Sequence, residues 1–287
     1  MDLQTQYFYI NLNISVLENR LTMMNRIQQL FQNKQKDICN IYFTAGFPNL
    51  NDTETIILTL EKAGADLIEI GMPYSDPLAD GPTIQESGSA AIKNGMTLPL
   101  LFEQIKSVRE KTQIPLVMMG YYNQVMQYGD KAFLEKCKEI GVDGLILPDL
   151  PPQVYETDYK ELFEKNNLNH VFLITPQTSD ERIQYLDKLS TGFLYVVSDA
   201  SITGKQKGLS AEQIEYFEKI KTMDLQNPKL IGFGISDHET FSTACQYAHG
   251  AIIGSAFIRA LEKSNDIEMT IMEFVDGVKN GKVGVNN

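Results

Sequence analysis

Two patterns alternate along this chain between residues 38 and 279. Short apolar runs, rich in β-branched and aromatic residues, are followed by longer segments in which apolar residues recur at helical spacing. The eight runs are 38–46, 65–71, 114–123, 141–149, 169–175, 192–199, 229–236 and 250–257. Most runs are apolar on both faces, which is typical of a parallel sheet covered by helices.

The segments between the runs carry residues that begin and end helices. Polar N-cap residues precede several segments, namely Asn51, Ser179, Ser210 and Ser236-Asp237. Glycines that favour a helix C-terminus follow others, namely Gly64, Gly141 and Gly250. The chain is therefore predicted to alternate strands with helices.

Eight strand–helix repeats over roughly 250 residues predict an α/β fold, a single (β/α)8 TIM barrel. An open doubly wound sheet usually has a glycine-rich first turn, whereas the first turn here, TAGFPNLND, contains no G-x-G-x-x-G. Because no linker interrupts it, the segment 23–280 is predicted to be one catalytic domain. Residues 1–22 are interpreted as a poorly structured N-terminal extension, and residues 281–287 as a C-terminal tail.

The composition argues against several classes of function. The net charge of −12 leaves no Lys/Arg footprint for nucleic acid. No run approaches the ~18 apolar residues of a membrane helix. Three cysteines and three histidines are widely scattered, so neither a disulfide framework nor a metal site is predicted, and a reducing cytoplasm fits best.

The stretch LIEIGMPYSDPLADGPTIQ (67–85) places Glu69 inside an otherwise apolar predicted strand. Strand alternation turns Glu69 away from its flanking isoleucines, toward the barrel mouth or the helix layer. A carboxyl group among apolar neighbours would have a raised pKa, which suits a proton donor. The alternative is a glutamate at the rim or paired with a lysine.

The loop after this strand is longer than the usual ~2–6 residues, and three prolines restrict it. Its apolar residues are predicted to pack against neighbouring structure: Met72, Tyr74 and Leu78. Asp80 precedes Gly81-Pro82, so it is either a turn former or the second carboxylate of an acid/base pair with Glu69.

The last two predicted strands end in glycines, in GFGIS (232–236) and IIGSAF (252–257). In a (β/α)8 barrel these two loops often build a phosphate site. Gly234 and Gly254 would let backbone N–H groups approach an anion, and Ser255 would add a hydroxyl. The alternative is that these glycines only allow tight turns.

Three tyrosines near strand ends are predicted to line the mouth, although each could equally be core packing: Tyr42, Tyr121 and Tyr195. The polar segment 198–210, SDASITGKQKGLS, has the composition of a mobile lid, with a surface loop as the alternative.

The motif LIEIGMPYSDPLADGPTIQ closely resembles the signature of the tryptophan synthase α chain family. The resemblance extends from about residue 24 to residue 279 and includes IYFTAGFPN, MMGYYNQV, GLILPDLP, GFGIS and IIGSAF. It implies a lyase that cleaves indole-3-glycerol phosphate to indole and glyceraldehyde 3-phosphate in tryptophan biosynthesis. It also implies no cofactor or metal in this chain and an α2β2 assembly with a pyridoxal-phosphate (PLP) β chain, to which indole passes.

The resemblance also implies roles for individual residues. Glu69 and Asp80 match the catalytic pair, Tyr42 and Tyr195 match aromatic residues of the site, and Thr203 matches a lid threonine. Phosphate binding is implied for Gly204, Gly234, Gly254 and Ser255, and the partner-facing region for Asp76, Pro77 and Pro151. The lid departs from the family pattern, because Asp199 and Ser201 replace a basic residue and a glycine.

Two alternatives remain open from the sequence. One is a weakly active or non-catalytic subunit that mainly activates a β chain through its loops. The other is a phosphosugar isomerase or epimerase barrel, which would need a different acid/base set that the sequence does not reveal.

Overall fold

The computed structural model describes residues 24–78, 80–198, 210–232 and 234–281. The strands of this described part are β1 (Ile38–Thr44), β2 (Leu67–Gly71), β3 (Leu116–Met119), β4 (Gly144–Ile146), β5 (Asn169–His170), β6 (Phe172–Ile174), β7 (Leu194–Val197), β8 (Lys229–Gly232) and β9 (Gly250–Ile253). Each lies inside a run predicted from the sequence. The predicted run 169–175 forms two strands, because the ladder is interrupted at Val171.

All strand pairs are parallel, in the order β5-β4-β3-β2-β1-β9-β8-β7-β6. The two ends of this order, β5 and β6, adjoin each other in the chain, so the sheet curls into a nearly closed barrel. Val171 N–H still donates to the Leu145 carbonyl at 3.1 Å, which continues the pairing across the interruption. The predicted α/β fold, a (β/α)8 barrel, is confirmed.

Helices follow the strands, as the alternation predicts. They are α1 (Arg26–Asn33), α2 (Asp52–Ala63), α3 (Pro82–Lys93), α4 (Leu98–Arg109), α5 (Tyr122–Tyr128), α6 (Asp130–Glu139), α7 (Pro152–Val154), α8 (Lys160–Lys165), α9 (Asp180–Leu189), α10 (Ala211–Thr222), α11 (His238–Tyr247), α12 (Ser255–Glu262) and α13 (Ile267–Asn280). A π-helical turn, Tyr155–Tyr159, joins α7 to α8.

The predicted helix boundaries are largely confirmed. Ser179, Ser210 and Asp237 accept hydrogen bonds from the first turns of their helices, whereas the Asn51 side chain makes no such bond. The prediction that Gly250 ends a helix is wrong, because it begins β9. A Cβ at Gly250 would lie 2.1 Å from the Ile38 carbonyl oxygen, so glycine is needed for β9 to approach β1.

Side chains alternate between two apolar clusters. Residues pointing outward pack under the helices, whereas those pointing inward fill the barrel: Ile38, Leu67, Val117, Ile146, Val171, Phe193, Tyr195, Leu230 and Ile252. A polar side chain among these inward-pointing residues is removed from water, which costs free energy unless the side chain is hydrogen-bonded.

Helix α1 closes the N-terminal end of the barrel. Its buried Ile27 and Phe31 join the inward cluster. Asn25 donates to the Asp143 carbonyl at 2.8 Å, and Arg26 pairs with the Asp143 carboxylate at 2.9 Å. Helix α1 therefore fills the N-terminal end of the barrel interior.

Candidate active site

A cavity of about 420 Å³ lies at the carboxyl ends of the strands. Its wall includes Tyr42 of β1, Met119 of β3, Tyr195 of β7 and Ile252 of β9, together with Asp80 from the loop after β2. In (β/α)8 enzymes the substrate occupies this end of the barrel. The cavity is therefore the candidate active site.

Glu69 lies on β2, opposite Tyr42 of β1, and is completely buried. It faces the barrel interior rather than the helix layer. Asn40 Nδ2 donates to Glu69 Oε1 at 2.5 Å, whereas Glu69 Oε2 has no hydrogen-bond partner among the described residues. Glu69 does not line the cavity wall, which the sequence did not predict.

Burial raises the pKa of Glu69 to about 8, and the hydrogen bond from Asn40 opposes part of that rise. A glutamate with a pKa near neutrality can both take and release a proton under physiological conditions. Its environment therefore suits the proton-transfer role that the sequence predicts.

We expect this pKa to appear in the pH dependence of folding. A carboxyl group with a raised folded-state pKa stabilises the fold below its unfolded pKa and loses that contribution as pH rises through about 8. Between pH 5 and pH 8, the unfolding free energy should therefore fall by up to about 4 kcal/mol more in the wild type than in Glu69→Gln. Urea unfolding of both proteins at several pH values would measure this, and parallel pH profiles would refute it.

Asp80 lies on the cavity wall and is partly exposed, immediately before α3. Burial raises its pKa, and a hydrogen bond with the Tyr121 side chain opposes the rise. Glu69 and Asp80 therefore occupy unlike environments, one enclosed in the barrel and one open to the cavity. Unequal environments are what an acid and a base on one substrate require.

Tyr42 and Tyr195 point into the barrel beneath the cavity, and burial raises the pKa of both hydroxyls. Two strand glycines make room for their rings. A Cβ at Gly71 would lie 2.1 Å from the Tyr42 hydroxyl, and one at Gly232 would lie 2.4 Å from the Tyr195 hydroxyl. Tyr42 and Tyr195 are both core residues and cavity wall, so both predicted alternatives apply to them. Tyr121, the third predicted tyrosine, is buried against Tyr74 and is not part of the cavity wall.

The loop after β2 is anchored by the chain that follows β3. Tyr74 stacks on Tyr121 with ring centroids 5.1 Å apart, Asn123 donates to the Tyr74 hydroxyl at 2.7 Å, and Gln124 donates to the Pro73 carbonyl at 3.0 Å. Met72 is buried as well. The predicted packing of Leu78 is wrong within this chain, because the side chain is 95% exposed.

The glycine turns after β8 and β9 border the same cavity through Gly234, Gly254 and Ser255. Gly234 has a φ of +77°, which side chains rarely adopt, and open space surrounds it. The conformation of the turn therefore explains this glycine. Gly254 is the N-cap of α12. The first backbone N–H groups of a helix have no partner within the helix, and such groups commonly bind anions.

Sequence reasoning missed several residues of the site. Arg259, on α12, lines the cavity and donates to Thr83 Oγ1 at 3.4 Å. Asn40 was missed as the partner of Glu69, although a polar residue inside the apolar run ICNIYFT was a usable signal. Met119, Ser236 and Ile252 also line the cavity, and nothing in their residue types marked them as site residues.

The remaining predicted residues lie elsewhere. Asp76 and Pro151 are exposed and Pro77 is partly exposed, and none of the three lines the cavity. The lid positions Asp199, Ser201, Thr203 and Gly204 fall outside the described residues. Within the described ranges, no group of His, Cys, Asp and Glu side chains could hold a metal ion, and no helix has the length and apolar character to cross a bilayer.

The fold and the site together define a class of protein. It is a (β/α)8 barrel in which two carboxyl groups of unlike environment lie near the carboxyl ends of the strands, and the glycine turns after β8 and β9 border the same cavity. The family described as tryptophan synthase alpha chain matches residues 27–283. The chain belongs to this family, and the resemblance seen in the sequence is confirmed.

Comparisons with individual relatives and with solved structures indicate the same family. The chain is 57% identical over 256 residues to the tryptophan synthase alpha chain of Flavobacterium johnsoniae, covering 89% of this chain and 100% of that protein. It is 48% identical to the one from Bacteroides thetaiotaomicron, with the same coverage of both chains. A structure of the tryptophan synthase α2β2 complex from Pyrococcus furiosus has a chain that matches with a TM-score of 0.79 and 34% identity, covering 85% of this chain and 98% of that one.

Proposed function

We propose that this chain is the lyase subunit of tryptophan synthase and cleaves indole-3-glycerol phosphate to indole and glyceraldehyde 3-phosphate. The observation that carries the proposal is the unlike pair of carboxyl groups, Glu69 and Asp80, beside a cavity bordered by glycine turns. Family membership supports the same reaction.

The reaction requires the bond between indole C3 and the first glycerol carbon to break. C3 must gain a proton, and the positive charge then spreads to the ring nitrogen. The hydroxyl on that first glycerol carbon must lose a proton as the carbon becomes an aldehyde, and the electrons of the broken bond return to the indole ring. One proton is gained and one is lost, so a single site with an acid and a base can complete the step.

Asp80 and Glu69 fit these two tasks. Asp80 lies on the wall, where it can accept the indole N–H and stabilise the positive charge as it develops. Glu69 can take the hydroxyl proton and deliver one to C3. Because its carboxyl is buried outside the wall, we propose that its side chain turns from Asn40 toward the substrate.

We assign binding of the substrate's phosphate group to Ser255 and to the turns at Gly234 and Gly254. Backbone N–H groups there can bind the dianion despite the chain's net charge of −12. Arg259 borders the same end and supplies a positive side chain.

We expect Arg259→Gln to raise KM about tenfold with little change in kcat, since a charge-assisted hydrogen bond to the non-reacting phosphate is lost. Steady-state kinetics of indole release would measure this. Lys263→Gln removes the same charge at the exposed C-terminal end of α12, away from the cavity, and serves as the control. An unchanged KM in Arg259→Gln would remove this residue from the site.

We further propose that the reaction needs no cofactor in this chain, since protonation and deprotonation are sufficient for it. Cytoplasmic localisation is proposed as well. The described cysteines are free, and Cys39 and Cys137 are buried as reduced thiols.

A PLP-dependent β chain is the proposed partner, in an α2β2 assembly like the one described for Pyrococcus furiosus. The proposed contact surface consists of the exposed tip of the loop after β2 and the start of α7: Asp76, Pro77, Leu78 and Pro151. Leu78, at 95% exposure, is a large apolar side chain that a partner would cover.

The proposal is tested by measuring indole release from indole-3-glycerol phosphate with the purified chain, alone and with its β chain. Turnover by the isolated chain, increased by the partner, is the expected result. Activation of the β chain without any indole release would instead support the non-catalytic alternative. The presence of both carboxyl groups, Asp80 on the cavity wall and Glu69 buried in the barrel, argues against that alternative, as does family membership.

A further inference from the structure

Asn40 and Glu69 form a hydrogen-bonded polar pair inside the barrel. Both side chains are completely buried. They lie on adjacent strands among inward-facing apolar residues such as Leu67, Val117 and Ile252. Placing an amide and a carboxyl in such surroundings costs free energy, so a structural role alone explains the pair poorly.

The pair is only half satisfied. Asn40 Nδ2 donates to Glu69 Oε1 at 2.5 Å, but within the part of the chain that the structure describes Asn40 Oδ1 and Glu69 Oε2 have no partner. Buried polar atoms without partners are rare and are retained most readily where they serve function. The one hydrogen bond distinguishes the two carboxyl oxygens from each other.

We infer that Asn40 is a positioning residue for the proposed reaction: in the free enzyme its amide holds one oxygen of Glu69, so that the carboxyl keeps one orientation, with the other oxygen left for the transferred proton, until it turns toward the substrate. The inference rests on the proposed function, because it assumes that Glu69 exchanges protons with the substrate. Asn40 is not among the described residues that line the cavity, so we assign it a role through Glu69.

The hydrogen bond described for the Glu69 carboxyl comes from Asn40, and the other neighbouring side chains are tyrosines or apolar residues. Among the described residues, Tyr42 from β1 and Tyr195 from β7 interact with Glu69 electrostatically, and burial keeps both hydroxyls protonated. Asp80 interacts with these tyrosines from the cavity side. The inward residues of β3 and β9, Val117 and Ile252, are apolar.

The amide N–H favours the ionised form of Glu69, so removing it should make the proton harder to remove. A hydrogen bond to a charged group corresponds to about one to two pKa units. Asn40→Leu keeps the approximate shape of the side chain and deletes the donor. We expect the carboxyl of Glu69 to titrate about one to two pH units higher in this variant.

Two measurements test this. Infrared difference spectra against Glu69→Gln follow the protonated carboxyl band of Glu69 and do not depend on activity. The pH profile of kcat/KM for indole release reports the same group in the free enzyme. We expect both to move upward in Asn40→Leu, with a smaller change in the pH profile of kcat, which reports the substrate complex.

The matched control is Asn169→Leu, which deletes another buried inward amide on β5, hydrogen-bonded to the Asp143 carbonyl at 3.4 Å rather than to Glu69. It should leave both titrations in place. If Asn40→Leu does not fold, Asn40→Ala, which cannot clash, should shift them in the same direction. Titrations that coincide with those of the wild type would overturn the inference, even if activity fell uniformly.

The proposed function and this inference can fail separately. A wild-type chain that releases no indole at any pH defeats the proposed function, while the infrared titration still reports on Asn40. An active wild type whose Glu69 titration is unmoved in Asn40→Leu defeats the inference alone.

Discussion

Glu69→Gln is expected to lower indole release from indole-3-glycerol phosphate by about 10²–10⁴-fold. Glutamine has the shape of glutamate but can neither take the hydroxyl proton nor deliver one to C3. Because the lost step is chemical, kcat should fall while KM changes little. Enzymatic detection of glyceraldehyde 3-phosphate together with chromatography of indole would measure both products.

This variant should fold. The amide oxygen can still accept from Asn40, and a neutral side chain replaces a buried ionisable one. Circular dichroism and thermal unfolding would establish this. Glu86→Gln, an exposed carboxyl change on α3, is the matched control and should retain activity. Wild-type turnover in Glu69→Gln would contradict the assignment of Glu69 as the proton carrier.

Asp80→Asn is expected to lower kcat by about 10²–10³-fold, the range found when a group that stabilises transition-state charge is removed. Asparagine can still accept the indole N–H, but it has no negative charge to offset the positive charge on the ring. The loss should therefore be electrostatic rather than a loss of fit.

The comparison of Asp80→Asn with Asp158→Asn tests this reading. Asp158 is exposed on the π-helical turn and does not line the cavity, so its substitution should leave turnover intact. Rapid-mixing kinetics would show whether the cleavage step itself slows in Asp80→Asn. A variant with normal cleavage and weakened substrate binding would indicate that Asp80 only orients the substrate.

Much of the fold followed from local pattern. Every described strand lies within a predicted run, because apolar runs and helical stripes reflect which faces must leave water. Caps such as Ser179 and Asp237 were predicted for the same local reason, since their side chains bond to N–H groups three residues on. Gly250 was mistaken for a helix end because its role depends on β1, more than 200 residues earlier.

The site was predictable only in part. Glu69 and Asp80 were identified because a carboxyl inside an apolar run and a long proline-rich loop are unusual in themselves. The burial of Glu69 away from the cavity wall was not predicted. Arg259 was not predicted either, because the local sequence around an arginine on an amphipathic helix does not show whether the side chain lines a cavity or is exposed to solvent.

Residue order and chemistry alone thus predicted that this chain alternates strands and helices, that Glu69 and Asp80 belong to one strand and the loop after it, and that the glycines of the last two turns either bind an anion or only allow tight turns. The pairing of Asn40 with Glu69, the fit of Tyr42 over Gly71 and the meeting of Asp80 with Arg259 at one cavity depended on the closed barrel. The reason is that strand register and curvature bring together side chains far apart in the chain, and these arise from packing summed over the whole molecule rather than from any local segment.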